Sequence, residues 1–221
     1  MKILKKYGHF LIVIPYLIFY LLAFFYMENR PEIEIHIIHA RIDDFIPFCE
    51  YFIIPYFLWF PYVGAAVLYF GLVNRNRQEY YRLIATLGIG MTLFLLVSFF
   101  YPNGHELRPY YFEHENIFVD LVRFLYQIDT PTNVLPSIHV FNSVAVAIAV
   151  AECESLRENT RVVRTSNVLA ILIICSTVFL KQHTVLDVVT ALILNLACFW
   201  LIYRRGYVSG RKALPETGKN M

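Results

Sequence analysis

Three side chains able to carry out proton or phosphoryl chemistry stand at the ends of apolar runs in this 221-residue chain. His183 and Asp187 are four residues apart at the start of the last run, and His139 follows Pro136 and Ser137 at the start of an earlier one. Ionisable residues are costly inside a membrane, so they mark functional positions there. The four-residue spacing predicts that His183 and Asp187 share one helical face, where the carboxylate orients the imidazole.

Groups that suit a phosphate stand near the same run ends. Arg108 lies in the loop after the third apolar run, Lys181 stands two residues before His183, and Ser137 stands two before His139. Fixed cations, a hydroxyl group and the positive end of a helix dipole together bind a tetrahedral anion. Two histidines add a nucleophile and a general acid, so the cluster predicts phosphoryl-transfer chemistry.

The composition indicates a membrane protein. Hydrophobic residues make up 58% of the chain and aromatic residues 17%, with a mean hydropathy of +0.53, which is too apolar for an ordinary soluble domain. Six apolar runs are long enough, or nearly long enough, to cross a bilayer. They predict one all-α integral membrane domain over 1–221, a six-helix bundle with runs at 10–26, 49–73, 83–101, 136–151, 166–180 and 183–203. The fourth and fifth runs are short and must borrow polar flanks to span.

Basic residues divide unevenly between the loops that six spans would create. Fourteen of the nineteen fall on one side: Lys2, Lys5, Lys6, Arg75, Arg77, Arg82, Arg157, Arg161, Arg164, Arg204, Arg205, Arg211, Lys212 and Lys219. The other side keeps Arg30, Arg41, Arg108, Arg123 and Lys181. The positive-inside rule therefore predicts that both termini are cytoplasmic and that the polar cluster faces the outside.

The loop after the first run, 28–47, mixes isoleucines with acids and histidines. It predicts a short helix or strand at the membrane interface that roofs the outer surface. The first run is long and aromatic and has no small-residue cleavage site, so we expect it to stay as a helix. We interpret the remaining outer histidines as interfacial polar residues rather than ligands; they are His36, His39, His105 and His114.

The motifs resemble those of a known family. Pro136-Ser137-Ile138-His139 is similar to the PSGH motif, and the segment from His183 to Asp187 to the HxxxD motif, of the type 2 phosphatidic acid phosphatase superfamily. The resemblance covers about 99–200 and implies a six-helix fold and catalysis without metal or cofactor. It also implies a nucleophilic His183 oriented by Asp187 and a general acid at His139. By the same resemblance, the phosphate ligands are Ser137, Arg108 and Lys181.

The chain departs from that pattern at two basic positions. Tyr101 stands where the family has a lysine, and Thr177 where it has an arginine; Lys181 is a plausible replacement. The segment 130–139 looks more like the branch that contains inositol-phosphorylceramide synthases than like the broad-specificity phosphatases. That branch includes transferases, so the resemblance implies either hydrolysis or transfer.

Other chemistries are less well supported. Zinc bound by His139, His183 and Asp187 is conceivable, but the neighbouring Arg108 and Lys181 suit an anion better than a metal. His105 and His114 are each followed by glutamate, yet neither belongs to a complete HExxH zinc motif. A non-enzymatic carrier of an anionic lipid remains an alternative, although binding alone needs no nucleophile with an orienting carboxylate.

We therefore expect a metal-independent enzyme that hydrolyses a lipid phosphate at the outer face of a cell membrane. Its partners are the bilayer and the lipid substrate, not nucleic acid. The outer loops show no evident second head-group pocket, which favours water as the acceptor. The alternative is a phosphotransferase that passes the phosphoryl or phospho-head group to a lipid or alcohol.

Overall fold

A computed structural model describes Gly8, 10–30 and 34–204 of the chain. Seven α-helices make up most of it: α1 Val13–Glu28, α2 Ile53–Leu68, α3 Arg77–Phe100, α4 Ile117–Ile128, α5 Ile138–Glu152, α6 Thr160–Phe179 and α7 Val185–Cys198. Short 3-10 or π-helical segments extend three of them: Phe10–Ile12 before α1, Glu50–Phe52 before α2, Tyr69–Val73 after α2 and Phe199–Arg204 after α7.

Five of these helical stretches are long and apolar enough to cross a membrane: Phe10–Glu28, Glu50–Val73, Arg77–Phe100, Thr160–Phe179 and Val185–Arg204. They coincide with five of the six predicted runs. The helix that contains the run predicted at 166–180 is longer than that run, because it begins six residues earlier, after its N-cap Asn159. The run at 136–151 forms α5, an apolar helix of only 15 residues.

Helix α5 is the centre of the bundle. It packs against α2, α3, α6 and α7, and most of its side chains are buried. Gly90 of α3 permits one close approach, because a Cβ atom at this position would overlap the ring of Phe141 on α5. A rise of 1.5 Å per residue makes α5 about 22 Å long, which is shorter than the hydrocarbon core of a bilayer. Because protein surrounds α5, its polar N-terminal end is shielded from lipid.

The long connection between α3 and α5 contains α4, which the sequence analysis did not predict. One face of α4 is buried against the bundle through Val119, Val122 and Leu125. Beside this face the helix exposes a second apolar stripe, formed by Ile117, Leu121, Phe124 and Ile128. A wide apolar face next to a polar one, which here carries Asp120 and Arg123, is typical of a helix at the membrane interface.

The segment predicted to form a short helix or strand contains both. Strand β1 (His36–Ile37) pairs in parallel with β2 (Asn103–Gly104), and a 3-10 turn follows at Arg41–Phe45. This ladder is the only β-sheet among the described residues, so the predominantly helical fold is confirmed. Gly104 is required there, since a Cβ atom would lie 2.6 Å from the carbonyl oxygen of Pro131.

Candidate active site

His183 lies in the tight turn between α6 and α7. The amide of Gln182 donates to the carbonyl of Thr177 (2.9 Å), and the amide of Lys181 donates to that of Val178 (3.1 Å). These two bonds form a Schellman motif at the end of α6. Lys181 has a positive φ of 53° at the position where glycine is usual. The amide of His183 also donates to Thr177 (3.0 Å), which fixes the backbone of the histidine.

The histidine and aspartate do meet, but not on one helical face. His183 precedes Thr184, the N-cap of α7, so it lies outside the helix, and the predicted geometry is wrong. Thr184 and Asp187 form a reciprocal capping box, in which the amide of Thr184 donates to Asp187 Oδ2 (2.8 Å). That cap places Asp187 Oδ2 3.4 Å from His183 Nδ1. The second oxygen of Asp187, Oδ1, is buried with no partner among the described residues.

His139 enters the same space from the first turn of α5. Its ring packs against Tyr56 and Trp59 of α2, with centroids 4.5 Å apart in both cases, and lies 5.8 Å from the ring of His183. Like His183, it is buried, and its Nδ1 atom has no hydrogen-bond partner among the described residues. The structure therefore brings both predicted histidines together.

Ser137 is fully buried as the N-cap of α5, and its hydroxyl accepts from the amide of Val140 (3.4 Å). Its own amide donates to the carbonyl of Asp187 (3.4 Å), so the N-terminal ends of α5 and α7 are joined. The positive ends of two helix dipoles thus meet beside the histidines. Such a meeting favours an anion.

Arg108 reaches the edge of the site through Gln182. Its guanidinium donates to the carbonyl oxygens of Tyr126 and Asp129 and to the side-chain oxygen of Gln182. It also lies over the ring of Tyr126, 4.2 Å from the centroid. Burial lowers the pKa of Arg108 below its usual value, although the group remains cationic. Its Nε atom has no partner among the described residues.

An acid that the sequence analysis missed completes this network. The carboxylate of Asp129 accepts from the hydroxyl of Tyr56 (2.7 Å) and from the side-chain amide of Gln182 (3.4 Å). Asp129, Gln182 and Tyr56 come from three separate segments and match no motif. Only the tertiary structure reveals that they belong together.

Lys181 is directed away from the histidines. Its ammonium donates to the backbone carbonyl of Asp43 (2.8 Å), and burial lowers the pKa of the lysine. Asp43 is itself buried and accepts from the amide of Val185, at the start of α7. The segment that contains Asp43 thus fastens the turn that holds His183.

The two positions where the family has basic residues supply no cation. Tyr101 ends α3 and stacks on the ring of His36, with centroids 4.4 Å apart. Thr177 is fully buried and donates its hydroxyl to the carbonyl of Ile174 (2.8 Å).

His105 is buried beside the site, which contradicts its interpretation as an interfacial residue. Its Nε2 atom is 2.9 Å from the carbonyl oxygen of Gln182, and its Nδ1 atom accepts from the amide of Leu107 (3.2 Å). This pattern requires the neutral tautomer with a proton on Nε2. Burial, and then the neighbouring His183, lower the pKa of His105 to about 4.

Both candidate catalytic histidines line one largely apolar cavity of about 270 Å³. Its apolar wall comes from α1, α2, α3 and α4 and includes Tyr20, Leu21, Phe24, Phe57, Phe60, Phe94, Leu125 and Ile128. Its polar end carries Asp129, Gln182, Thr130, Thr132 and Asn133. Among the residues that line it, Asp129 is the one acid, and neither arginine nor lysine is present.

A second, polar cavity of about 200 Å³ adjoins the first and shares Thr130, Thr132 and Asn133 with it. Its other polar walls are Glu28, Arg30 and Asn103. No sequence pattern indicated this cavity, and whether it holds a head group stays untested. The pocket escaped notice because residues about a hundred positions apart in the chain form its walls.

The donor set does not form a metal centre. Within the described part of the chain, no three His, Cys, Asp or Glu side chains are grouped so that they could hold a metal ion. The alternative of zinc bound by His139, His183 and Asp187 is therefore not supported by the geometry.

The chain forms a helical bundle with several apolar helices of membrane length, and a buried histidine pair lies at the end of a mainly apolar cavity. These features are typical of a membrane-embedded enzyme. The family model of the PAP2 superfamily matches 99–211, which is more than half of the chain. The chain therefore belongs to the PAP2 superfamily, as its motifs predicted, and is a protein of the phosphatase and phosphotransferase type. Searches of curated proteins and of solved structures found no match.

Proposed function

We propose that this protein transfers the phosphoryl group of a membrane lipid to His183 and then to water, at the outer face of a cell membrane. One observation carries the proposal. The rings of His139 and His183 lie 5.8 Å apart on one cavity, and the carboxylate of Asp187 lies 3.4 Å from the Nδ1 atom of His183. Simple binding of an anionic lipid would need neither the second histidine nor the orienting carboxylate.

In the first step, Nε2 of His183 attacks phosphorus while the bond to the leaving oxygen breaks. Asp187 stabilises the positive charge that develops on the imidazole, because its carboxylate faces Nδ1. His139 gives its proton to the leaving oxygen. This step needs the protonated form of His139, which the negative charge of a phosphate bound beside it stabilises.

In the second step, water attacks the phosphohistidine. His139, now neutral, accepts the proton of the water as the oxygen–phosphorus bond forms and the nitrogen–phosphorus bond breaks. Both histidines then return to their starting protonation states. The charge on phosphorus is met by the joined N-terminal ends of α5 and α7, with Ser137 at the first of them.

Arg108 and Lys181 are both proposed phosphate ligands, but they differ in how readily each can reach the phosphate. The Nε atom of Arg108 is unpartnered, and a shift of Gln182 would release a further donor. Lys181 would first have to leave the carbonyl of Asp43. We therefore assign Arg108 the direct role and Lys181 a mainly positioning one.

We further propose that the protein has six spans and that both termini are cytoplasmic. In this arrangement the short helix α5 crosses the membrane in addition to the five longer helical stretches. The site lies where α3 and α6 end and where α5 and α7 begin, as expected for helices that cross in alternating directions. The opposite end carries Arg75, Arg77, Arg82, Arg157, Arg161, Arg164 and Arg204, and by the positive-inside rule this distribution supports a site on the outer side. The other predicted inner basic residues at 2, 5, 6, 205, 211, 212 and 219 lie outside the described residues.

A phosphotransferase is the second candidate. The polar cavity beside the histidines favours it, because an alcohol could be held there in place of water. A phosphohistidine serves both reactions, which differ only in the group that attacks it.

Trapping the intermediate tests the proposal. Purified protein is mixed with a lipid whose phosphate carries ³²P, quenched within milliseconds and digested, and the labelled peptide is sequenced. We expect base-stable, acid-labile label on His183, none in His183→Ala, and normal labelling in the control His114→Ala, whose side chain is 71% exposed. A folded His183→Ala protein that turns over lipid at the wild-type rate contradicts the assignment, and binding without turnover by the wild type supports a carrier.

The membrane orientation has its own test. A single cysteine near Arg108 should react with an impermeant reagent only from outside, and one near Arg161 only from inside. Reaction of both from the same side would overturn the six-span arrangement.

A further inference from the structure

A third cavity, of about 530 Å³, has no lining residue in common with the cavity that holds the histidines. Its walls come from the segment before α2, from the loop 109–114 and from Val119 of α4. Glu50, on its wall, is also the first residue of the membrane-length stretch Glu50–Val73. The cavity therefore lies where a candidate membrane span begins, at the level of lipid head groups.

Glu50 is the buried acid of this cavity. Its side chain is only 10% exposed, and its Oε1 atom accepts from the side-chain amide of Asn116 (3.0 Å). The Nδ1 atom of His114 lies 4.0 Å from Oε1, which is too far for a hydrogen bond. No hydrogen bond from the described residues reaches Oε2, so this oxygen can accept from a ligand in the cavity. A buried carboxylate oxygen without a donor is costly, so a ligand that donates to it is favoured.

The charge around the cavity favours a cation. Its lining carries two acids, Glu50 and Glu113, with one histidine and neither arginine nor lysine. Two arginines close in sequence are engaged elsewhere. Arg108 donates to two backbone carbonyls and one side-chain amide, and Arg123 pairs with Glu115. The two acids of the lining are therefore not neutralised by either arginine, and their field attracts positive charge.

Aromatic rings form much of the remaining wall. Phe48 and Phe112 pack with their centroids 5.3 Å apart, and Tyr110 and Tyr111 are exposed beside them. The face of an aromatic ring attracts a cation that lies within about 6 Å of its centroid. Such a wall suits an organic cation, whose carbon atoms pack against the rings. A metal ion fits less well, since no three His, Cys, Asp or Glu side chains of the described residues are grouped to hold one.

We propose that this cavity binds a primary ammonium group, and that a lipid head group such as that of phosphatidylethanolamine supplies it. A primary ammonium has three N–H donors, so it satisfies Oε2 of Glu50, and Glu113 offers a further acceptor. The methylene groups next to the nitrogen pack against Phe48 and Phe112. A quaternary ammonium has no N–H group and leaves Oε2 without a donor. A bound lipid thus holds the loop that follows Arg108 at the membrane surface.

The experiment titrates the full-length protein in detergent with short-chain lipids and counts bound lipid by native mass spectrometry. Phosphatidylethanolamine and phosphatidylcholine with identical acyl chains differ in three N-methyl groups, so the comparison isolates the N–H donors. We expect phosphatidylethanolamine to bind about tenfold more tightly. Glu50→Gln keeps an oxygen for Asn116 and should remove this preference, whereas the control Glu106→Gln, exposed and outside the cavity, should retain it.

A second variant, Glu113→Gln, serves if Glu50→Gln does not fold, because Glu113 is exposed, and it should lower the affinity for phosphatidylethanolamine about threefold. Methylammonium distinguishes the two sources of the group. Displacement of the lipid only at a far higher concentration than phosphatidylethanolamine itself requires identifies a lipid ligand, and displacement at an equal concentration identifies a free amine; both support an ammonium site. Equal affinities of the wild type for the two lipids, or a full preference retained in both variants, overturn the inference.

Discussion

Two buried carboxylates at opposite ends of the bundle differ in how fully their oxygens are hydrogen-bonded. Glu79, near the start of α3, accepts from the side-chain amides of Asn74 (2.7 Å) and Asn76 (3.2 Å) and from the amide of Glu154 (3.1 Å). Asp187, at the candidate active site, accepts from Thr184 through Oδ2 and leaves Oδ1 without a partner among the described residues.

Glu79 and Asp187 differ in whether a carboxylate oxygen is left without a hydrogen-bond donor. Both oxygens of Glu79 are occupied, and the residue joins the loop before α3 to the loop after α5. A buried polar atom without a partner costs free energy, so its persistence requires an explanation. At Asp187 the explanation we propose is the interaction with a charged His183.

The largest effect should come from removing the charge of Asp187. Asp187→Asn keeps an oxygen to accept from Thr184, so the cap survives, but the carboxylate that stabilises the imidazolium is lost. We expect kcat to fall on the order of 10⁴-fold while the melting temperature changes little. Steady-state turnover and thermal unfolding of the same sample check both parts. A lower melting temperature with unchanged kcat would show that Asp187, like Glu79, only supports the fold.

The next effect concerns the second histidine. His139→Ala removes the proposed proton donor, and we expect kcat to fall by about 10²–10⁴-fold. A substrate whose leaving group needs no proton, such as a p-nitrophenyl ester, should recover most of the loss. An equal loss with both substrates would instead indicate that His139 only shapes the cavity next to Tyr56 and Trp59.

His105 sharpens the comparison because it lies at the active-site end but has a partner on both nitrogens. With a pKa of about 4 when folded against about 6.5 when unfolded, it takes up a proton more readily in the unfolded chain. The free energy of unfolding should therefore fall as the pH drops from about 6.5 to 4, by on the order of 3 kcal/mol. Equilibrium unfolding across this range checks it, and an equal slope in His105→Gln would contradict it.

Glu79 should show the reverse of Asp187. Glu79→Gln replaces one oxygen by a donor that faces other donors, so we expect the free energy of unfolding to fall by about 1–3 kcal/mol. The kcat of the folded fraction should stay at the wild-type value. The exposed neighbour Glu154→Gln is the control, since only its backbone contacts Glu79. A loss of kcat in Glu79→Gln would show that the two ends of the bundle are coupled.

The smallest expected effect is that of a chelator. If helix ends and Arg108 neutralise the charge on phosphorus, EDTA should leave activity unchanged, and vanadate, which resembles five-coordinate phosphorus, should inhibit. Loss of activity in EDTA with recovery on adding zinc would show that the histidines serve a metal instead.

The helices were predictable because apolar runs report membrane burial directly. The meeting of His139 with His183 was predictable for a related reason, since both stand at run ends that alternating spans bring to one face. The prediction that His183 and Asp187 share a helical face was wrong, because their spacing does not reveal at which residue the helix begins. The N-cap is Thr184, one residue after the histidine, so the helix begins only at Val185.

The remaining parts of the site depend on contacts between distant segments. Glu28 and Asn133 are 105 positions apart, and the partner of Lys181, Asp43, is 138 positions away. Local patterns contain no signal for such pairs. The amphipathic period of α4 could have been read from the sequence, since Val119, Val122 and Leu125 recur at helical spacing.

The turn between α6 and α7 also bears on how the site moves. Six consecutive amides, from Leu180 to Val185, each donate a hydrogen bond, although most of them lie outside any helix. Opening such a turn requires several bonds to break together, so hydrogen exchange there should be as slow as in a helix. Helix α1, by contrast, packs mainly on α3 and lines the cavity with side chains. We therefore expect any movement that admits a substrate to occur in the cavity walls, while the backbone of His183 stays in place.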